Sequence, residues 1–461
     1  MESNLPTYLK SLEDNIKAST PPLAKADELT LEKIGFGSMF TSAPVSTDKL
    51  KFMLISTHMQ QYTGYSKSSF GIIQELAKIP WLAVTHYGFQ RHGELPPNYR
   101  PYPSNVNVID AGRLEKDGKG GGFGILELPG VLRREKPDVI MIYNDMDIVS
   151  KFLMSIKNSG IPRTFDVWVF CDQVYTTQLP QHLDILNRDA DRVFAFTPFW
   201  KKCLKDQGIN RPIDVILHGF SKEQFYPIPR EIVRKQLNIP KDAFLFMNLN
   251  RNQPRKRYDT LIIAFVELLV KYPTKPIFLL CICDKGDKGG WPLFEIFERE
   301  MRLRGVAKEQ FGDRLMITSK NMTFRDEDIN SFYNAADVGI STAEGEGWGL
   351  CQFEQMGVGV PQVVSDVGGY KEFCTKENSI LVTPAIRYYL PLVHSQIGGE
   401  AMICNPHDVC LAMEEYVLDS KKLEEHGKAA REKVLSYTWE RATKELVKRL
   451  KQKKESMQEE E

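Results

Sequence analysis

From Leu50 onward, short apolar runs alternate with longer stretches in which apolar positions recur every three or four residues. The first run, residues 51–56, is followed by a polar loop, 57–68, and then by Phe70, Ile73, Leu76 and Ala77, which share one helical face. Further runs at 81–85, 106–110, 138–143, 166–170, 192–195 and 214–217 each end in polar residues or glycine. Strands that are apolar at consecutive positions have both faces covered. That pattern predicts a parallel sheet flanked by helices on each side.

A second series begins beyond the proline-punctuated residues 220–229. Its strands are expected at 244–248, 276–282, 315–318, 338–341 and 362–365, with helices such as 259–271 and 326–335 between them. The fold class expected is therefore α/β, with two Rossmann-like doubly wound domains facing a central cleft, where a ligand would bind. The predicted division is an N-terminal appendage at 1–48, a first domain at 49–225, a second at 226–435 and a C-terminal segment at 436–461. In the appendage, a short helix at 9–16 precedes the breaker cluster Ser19, Thr20, Pro21 and Pro22. In the C-terminal segment, Trp439, Ala442, Leu446 and Leu450 have helical spacing and predict a helix packing back toward the first domain. The charge-segregated end, KRLKQKKESMQEEE, is expected to be a solvated tail. No repeat of 20–50 residues is present.

Composition narrows the function classes. With 461 residues, 42% of them apolar, a wholly disordered chain is excluded. Sixty basic and sixty acidic residues leave no global field for nucleic acid or anionic lipid, so no nucleic-acid partner is expected. The most apolar stretch, 261–270, contains Glu267 and falls short of the ~20 residues a membrane span needs. The N-terminal residues lack the apolar core of a secretory signal, and eight scattered cysteines fit reduced thiols, so a cytoplasmic setting is expected.

The stretch from Ser341 to Gly357 carries the most chemistry. A buried-type strand runs into a loop with Gly345, Gly347 and Gly349 and then into a helix from Leu350. Unpaired backbone N–H groups and the positive end of the helix dipole point to one place there, which suits a phosphate. Glu346 and Glu354, seven residues between them, frame this turn. Carboxylates beside a phosphate are useful only as acceptors for hydroxyls, as in a sugar or ribose. Phosphates flanked by polyols make a nucleotide sugar; the bland alternative is an acidic loop capping a structural helix.

Glu346 to Glu354 resembles the E-x7-E motif of retaining glycosyltransferases with the GT-B fold, in the large family 4, and residues 360–369 are similar to that family's next strand and loop. The similarity spans about 50–450, leaving 1–48 and an apparent insertion near 387–402 outside it. The resemblance implies a GT-B fold and retaining, metal-independent transfer of a sugar from a nucleotide-diphosphate sugar to a hydroxyl of a glycan, glycoprotein or small molecule, with no resident cofactor. It implies catalytic roles for Glu346, Arg251 and Lys256, the last two holding the pyrophosphate. It implies donor binding by Gly64, by the backbone of Gly347, Trp348, Gly349 and Leu350, by Glu354 at the ribose, and by the backbone near Asn321 and Met322 at the base. Independently, Arg251, Arg255, Lys256 and Arg257 follow the first strand of the second domain, where cations either neutralise a diphosphate or form a solvated turn.

Where many members of that family have a donor-contacting histidine, this chain has Cys171 and Asp172. Asp172 accepts a proton or a sugar hydroxyl there, or caps the next helix. Only one glycine, Gly64, stands where the family often has two. The acidic groups at 144–147 and 326–328 and the pair Cys281 and Cys283 lack a second ligand set nearby, and no metal site is assigned. His86, His92, His182, His394 and His407 are isolated, and the glycine run 118–124 reads as a mobile loop. Two rivals remain: a silent nucleotide-sugar-binding protein, and another GT-B enzyme such as a phosphorylase or epimerase.

Overall fold

The computed structural model describes residues 49–91, 99–115, 120–283, 289–318, 324–391 and 398–460. The first sheet is built from β1 (Leu50–Thr57), β2 (Leu82–Phe89), β3 (Asn107–Asp110), β4 (Val139–Asp145), β5 (Asp166–Asp172), β6 (Arg192–Ala195) and β7 (Ile213–Val215). Its order is β3-β2-β1-β4-β5-β6-β7, with every neighbouring pair parallel. Only Lys51 of β1 is exposed, so the apolar run is buried from both faces by flanking helices.

The second sheet holds β8 (Phe244–Asn248), β9 (Ile277–Cys281), β10 (Leu315–Ile317), β11 (Val338–Ser341), β12 (Gln362–Ser365) and β13 (Ser379–Val382) in the order β10-β9-β8-β11-β12-β13. This repeats the first sheet's winding, also with parallel pairs throughout. Strand order reverses between β1 and β4 and between β8 and β11. Loops leaving the carboxyl ends at those switch points open a crevice, the usual ligand position in such sheets.

Several elements differ from the sequence expectation for identifiable reasons. The helix Gly64–Leu76 starts inside the segment read as a loop, because Thr63 and Ser66 form a reciprocal capping box. Strand β2 continues to Phe89 and buries His86, whose ring nitrogens pair with Ser56 Oγ (3.0 Å) and Tyr102 Oη (2.8 Å). A polar side chain so satisfied does not end a strand. Strand β13 was not foreseen. Part of the apparent insertion is an antiparallel pair, β14 (Ile386–Tyr389) with β15 (Glu400–Ile403). The predicted helix at 9–16 and Gly118 of the glycine run lie outside the described residues.

The charged C-terminus is not a free tail: one helix runs from Trp439 to Glu460. Ala442, Leu446 and Leu450 are buried along it. Arg449 Nη2 lies 2.9 Å from Asp214 Oδ1 and Lys453 Nζ 2.9 Å from Asp166 Oδ1, which ties the helix to the first sheet. Arg449 and Lys453 thus serve as anchors, while Lys448 and Lys451 stay exposed. The chain crosses between the sheets at residues 217–229 and again at 436–438, and Phe220 N donates to Tyr437 O across the two crossings (2.6 Å). Among the described residues no helix is long and apolar enough to cross a membrane, and all eight cysteines are free.

Candidate active site

Between the carboxyl edges of the two sheets lies a cavity of about 740 Å³, a size typical of small-molecule sites. Gly64, Tyr65, Asn144, Asp145 and Asp172 line it from the first domain. Arg251, Arg255, Lys256, Glu346, Trp348, Gly349 and Leu350 line it from the second. The helix tip and the basic turn that the sequence singled out therefore face the same space.

The glycine loop is held rigidly. Gly349 has φ +95°, and a Cβ there would meet the Tyr370 ring at 2.3 Å. Glycine is required both for the left-handed turn and for the tight packing that launches the helix Leu350–Gly357. At Gly347 a Cβ would come within 2.0 Å of Asp172 Oδ1, so the loop approaches the first domain as closely as its backbone allows. Trp200 Nε1 donates to Gly347 O (2.7 Å), and Gly369 N donates to Glu346 O (2.8 Å). The buried Trp348 indole stacks on His218, with ring centroids 4.8 Å apart.

Glu346 is buried and ion-paired with Lys256, with Arg255 Nη1 at 3.4 Å. Burial raises its pKa, but Lys256 and Arg255 outweigh burial and hold the carboxyl below its usual range. Burial and the neighbouring Arg255 lower the Lys256 ammonium in turn. Arg255 also donates to Gly345 O (3.1 Å). Arg257 turns away to Asp259 (2.9 Å). Arg251 stands exposed at the cavity rim with no ion pair among the described residues. Of the four cations, the two in the middle of the run touch Glu346; Arg255, like Arg257, has no individual role assigned by the sequence.

Asp172 does not cap a helix. It ends β5, accepts from Tyr65 Oη (2.7 Å), and leaves Oδ1 buried without a hydrogen-bond partner. Burial pushes its pKa up to about 6, against the opposing influence of the tyrosine hydroxyl. Cys171 is buried behind it, 3.9 Å from the Met146 sulfur.

Glu354 differs most from expectation. Instead of an open carboxylate at the cavity wall, it is buried, with Lys67 Nζ 2.8 and 2.7 Å from its two oxygens and Tyr333 Oη 2.8 Å from Oε2. A carboxylate so deep on a helix needs a cation, and Lys67 reaches it from the first domain. Burial still leaves its pKa raised, with Lys67 opposing. Beside this contact Arg100 donates to Met59 O (3.3 Å), Gln61 O (3.0 Å) and Ser66 Oγ (2.9 Å), and pairs with Asp326 (3.1 Å). Lys67 and Arg100 thus join the domains at one end of the cavity.

Asn321 and Met322, assigned to the base, lie outside the described residues. His218, unmarked in the sequence reading, lines the cavity; its Nδ1 is buried without a partner, and burial lowers its pKa to about 3, so the ring is neutral. Its place three residues past the end of β7, at the start of the first crossing, was the available signal. Lys67 sits one turn into a helix that begins earlier than predicted, and nothing in the local pattern marks Arg100. Asp145 caps the helix Met146–Asn158 through Ile148 N (3.1 Å), and His182 pairs with Ser150 (2.8 Å). Among the described residues no cluster of three or more His, Cys, Asp or Glu forms a metal site.

Residues 229–387 match the family model described as Glycosyl transferases group 1. Among curated relatives, D-inositol 3-phosphate glycosyltransferase of Streptosporangium roseum is 28% identical over 185 residues, covering 40% of this chain and 41% of that protein. Mannosylfructose-phosphate synthase of Agrobacterium fabrum is 26% identical over 239 residues, covering 49% and 50%. The chain thus spans half or less of the length of these relatives. Among solved structures, sucrose-phosphate synthase from Thermosynechococcus elongatus superposes with a TM-score of 0.64 at 18% identity, over 88% of this chain and 99% of that one. Anabaena HepE in complex with UDP and glucose gives 0.63 at 14%, over 87% and 100%. The shared architecture covers both sheets, and the fold is GT-B.

Proposed function

We propose that this chain is a retaining, metal-independent glycosyltransferase that moves a sugar from a nucleotide-diphosphate sugar to an acceptor hydroxyl, in the cytoplasm. The observation carrying this reading is the convergence on one cavity of the helix tip at Gly349 and Leu350, the cations Arg251 and Lys256, and the carboxylates Glu346 and Asp172. The match to group 1 glycosyl transferases and the UDP bound by a structural neighbour support it.

In this reading the diphosphate lies over the helix tip, against the backbone of Gly347, Trp348, Gly349 and Leu350, with Arg251 and Lys256 on its oxygens. Gly64 closes the opposite side. Glu346 accepts from sugar hydroxyls, Glu354 from the ribose, and the base meets the backbone near Asn321 and Met322. The ribose reaches Glu354 only as Lys67 yields part of that carboxylate.

The bond from the anomeric carbon to the leaving phosphate oxygen breaks, and its electron pair stays on that oxygen. The acceptor oxygen bonds to the anomeric carbon on the same face, and its proton passes to the leaving phosphate. Asp172 steadies the positive character of the sugar. Preorganised donors around the departing phosphate, at about 1.5–3 kcal/mol each, lower the barrier by roughly 5–10 kcal/mol, on the order of 10⁴–10⁷ in rate.

Thermal-shift screening of the purified chain across nucleotide sugars, followed by measurement of nucleotide release with each hit, tests the reading. A donor that stabilises and is consumed is expected. Stabilisation without any release, with and without acceptors, would favour a silent binding protein instead.

A further inference from the structure

Glu346 receives two cations on one oxygen: the Lys256 ammonium and Arg255 Nη1, the latter at 3.4 Å, both meet Oε2. The two are fastened differently. Arg255 Nη1 also donates to Gly345 O (3.1 Å), and the Arg255 carbonyl accepts from Glu344 N (3.0 Å), so side chain and backbone both lace this residue to the loop that carries Glu346. Lys256 reaches Glu346 on a flexible four-carbon stem and lines the cavity. Under the proposed function the donor diphosphate draws that ammonium away, while Glu346, only 8% exposed, has to go on accepting from sugar hydroxyls. A buried carboxylate that loses its counter-charge takes up a proton. A protonated carboxyl then offers a donor where an acceptor is needed.

We propose that Arg255 is the positioning residue for Glu346: it stays on the carboxylate while Lys256 passes to the diphosphate, and so keeps Glu346 ionised and aimed in the donor complex. This rests on the glycosyltransferase reading and divides the work of the basic turn between its two central residues. A guanidinium does not give up its proton, and its planar fork spans a carbonyl and a carboxylate at once. The other titratable groups facing Glu346 among the described residues are Asp172 at the end of β5 and the Tyr370 hydroxyl, which donates to Ser341 Oγ (2.9 Å). Arg255 also favours the ionised form of Asp172, so the test has to separate the two acids.

UDP, GDP and ADP are titrated into the full-length chain by calorimetry near pH 6, in buffers of differing ionisation enthalpy, which counts the protons taken up with whichever nucleotide binds. Arg255→Gln should take up about half a proton or more beyond the parent, because Glu346 is ionised in the free variant, where Lys256 still pairs with it, and protonates in the complex; the excess fades as pH rises through the raised pKa of the complex. Arg255→Lys, which keeps the charge, should remove most of the excess, and Arg255→Gln/Glu346→Gln all of it. Uptake by Arg255→Gln equal to the parent's, or an excess that persists in the double variant and so belongs to Asp172, would overturn the proposal. Should Arg255→Gln fail to fold, the parent is compared with Glu346→Gln: equal uptake is expected, and about half a proton more in the parent would show Glu346 protonating in spite of Arg255 and overturn the proposal as well. Absence of binding by all three nucleotides in the parent would instead remove the glycosyltransferase reading, and this inference with it.

Discussion

Lys67 of the first domain and Glu354 of the second meet across the cleft, the ammonium nitrogen lying 2.8 and 2.7 Å from the two carboxylate oxygens. Both side chains are largely shielded from water, at 17% and 7% exposure. This contact holds the domains together at the place the proposed function gives to the donor ribose.

Replacing Lys67 with Met strands the Glu354 carboxylate with only the Tyr333 hydroxyl. We expect a loss of about 3 kcal/mol at neutral pH, the low end for breaking a buried pair because Lys67 keeps some exposure. The Glu354 pKa, already raised by burial, rises further without Lys67. A raised acid pKa means that stability present at low pH is lost as pH rises through it, so the deficit should shrink on acidification. Urea denaturation across pH checks this. A Lys67→Met/Glu354→Gln double variant no more stable than Lys67→Met would refute the account.

Lys256→Ala and Glu346→Gln should each lower kcat by about 10²–10³ with the circular dichroism spectrum retained. Arg255 remains within 3.4 Å of Glu346 to keep the site folded. Turnover by purified Lys256→Ala equal to that of the parent would end the leaving-group role.

Asp172, with its pKa pushed up to about 6 by burial, predicts the acidic limb of the rate profile. If its carboxylate steadies the transition state, kcat/KM, which reports the free enzyme's groups, climbs as pH passes through about 6 and levels above it. Asp172→Asn should flatten that limb and lower the plateau. A limb unmoved by the substitution assigns it to another group.

Gly347→Ala inserts a carbon 2.0 Å from Asp172 Oδ1. Something must shift, and backbone loop and buried acid both resist. The expected result is a loss of activity exceeding the loss of stability, measured by nucleotide release beside a thermal melt.

Chelation gives a further check. EDTA should leave transfer essentially unchanged, since in the proposed function cationic side chains and the helix tip take the part a divalent ion plays in other phosphate chemistry. Loss of activity with EDTA that returns with a divalent ion would overturn this expectation.

The repeated winding was legible because its strands are continuous apolar runs and its helices have clear periodicity; β6, β8, β11 and β12 begin and end where the pattern predicts. The glycine loop was legible because strand, glycines and helix follow in sequence. Contacts made across the cleft were not. Lys67 and Glu354 are 287 residues apart and Arg100 and Asp326 are 226 apart, and no local period encodes such pairings. The same limit applies to the C-terminal helix, whose charges look solvated until Asp214 and Asp166 come beneath them.

The two chain crossings deserve a mechanical reading. Because Phe220 and Tyr437 are hydrogen-bonded where the crossings run side by side, the halves of the molecule share a double strap instead of a single tether. Any rotation that widened the cleft would pivot near that line and would have to break the Lys67–Glu354 and Arg100–Asp326 contacts.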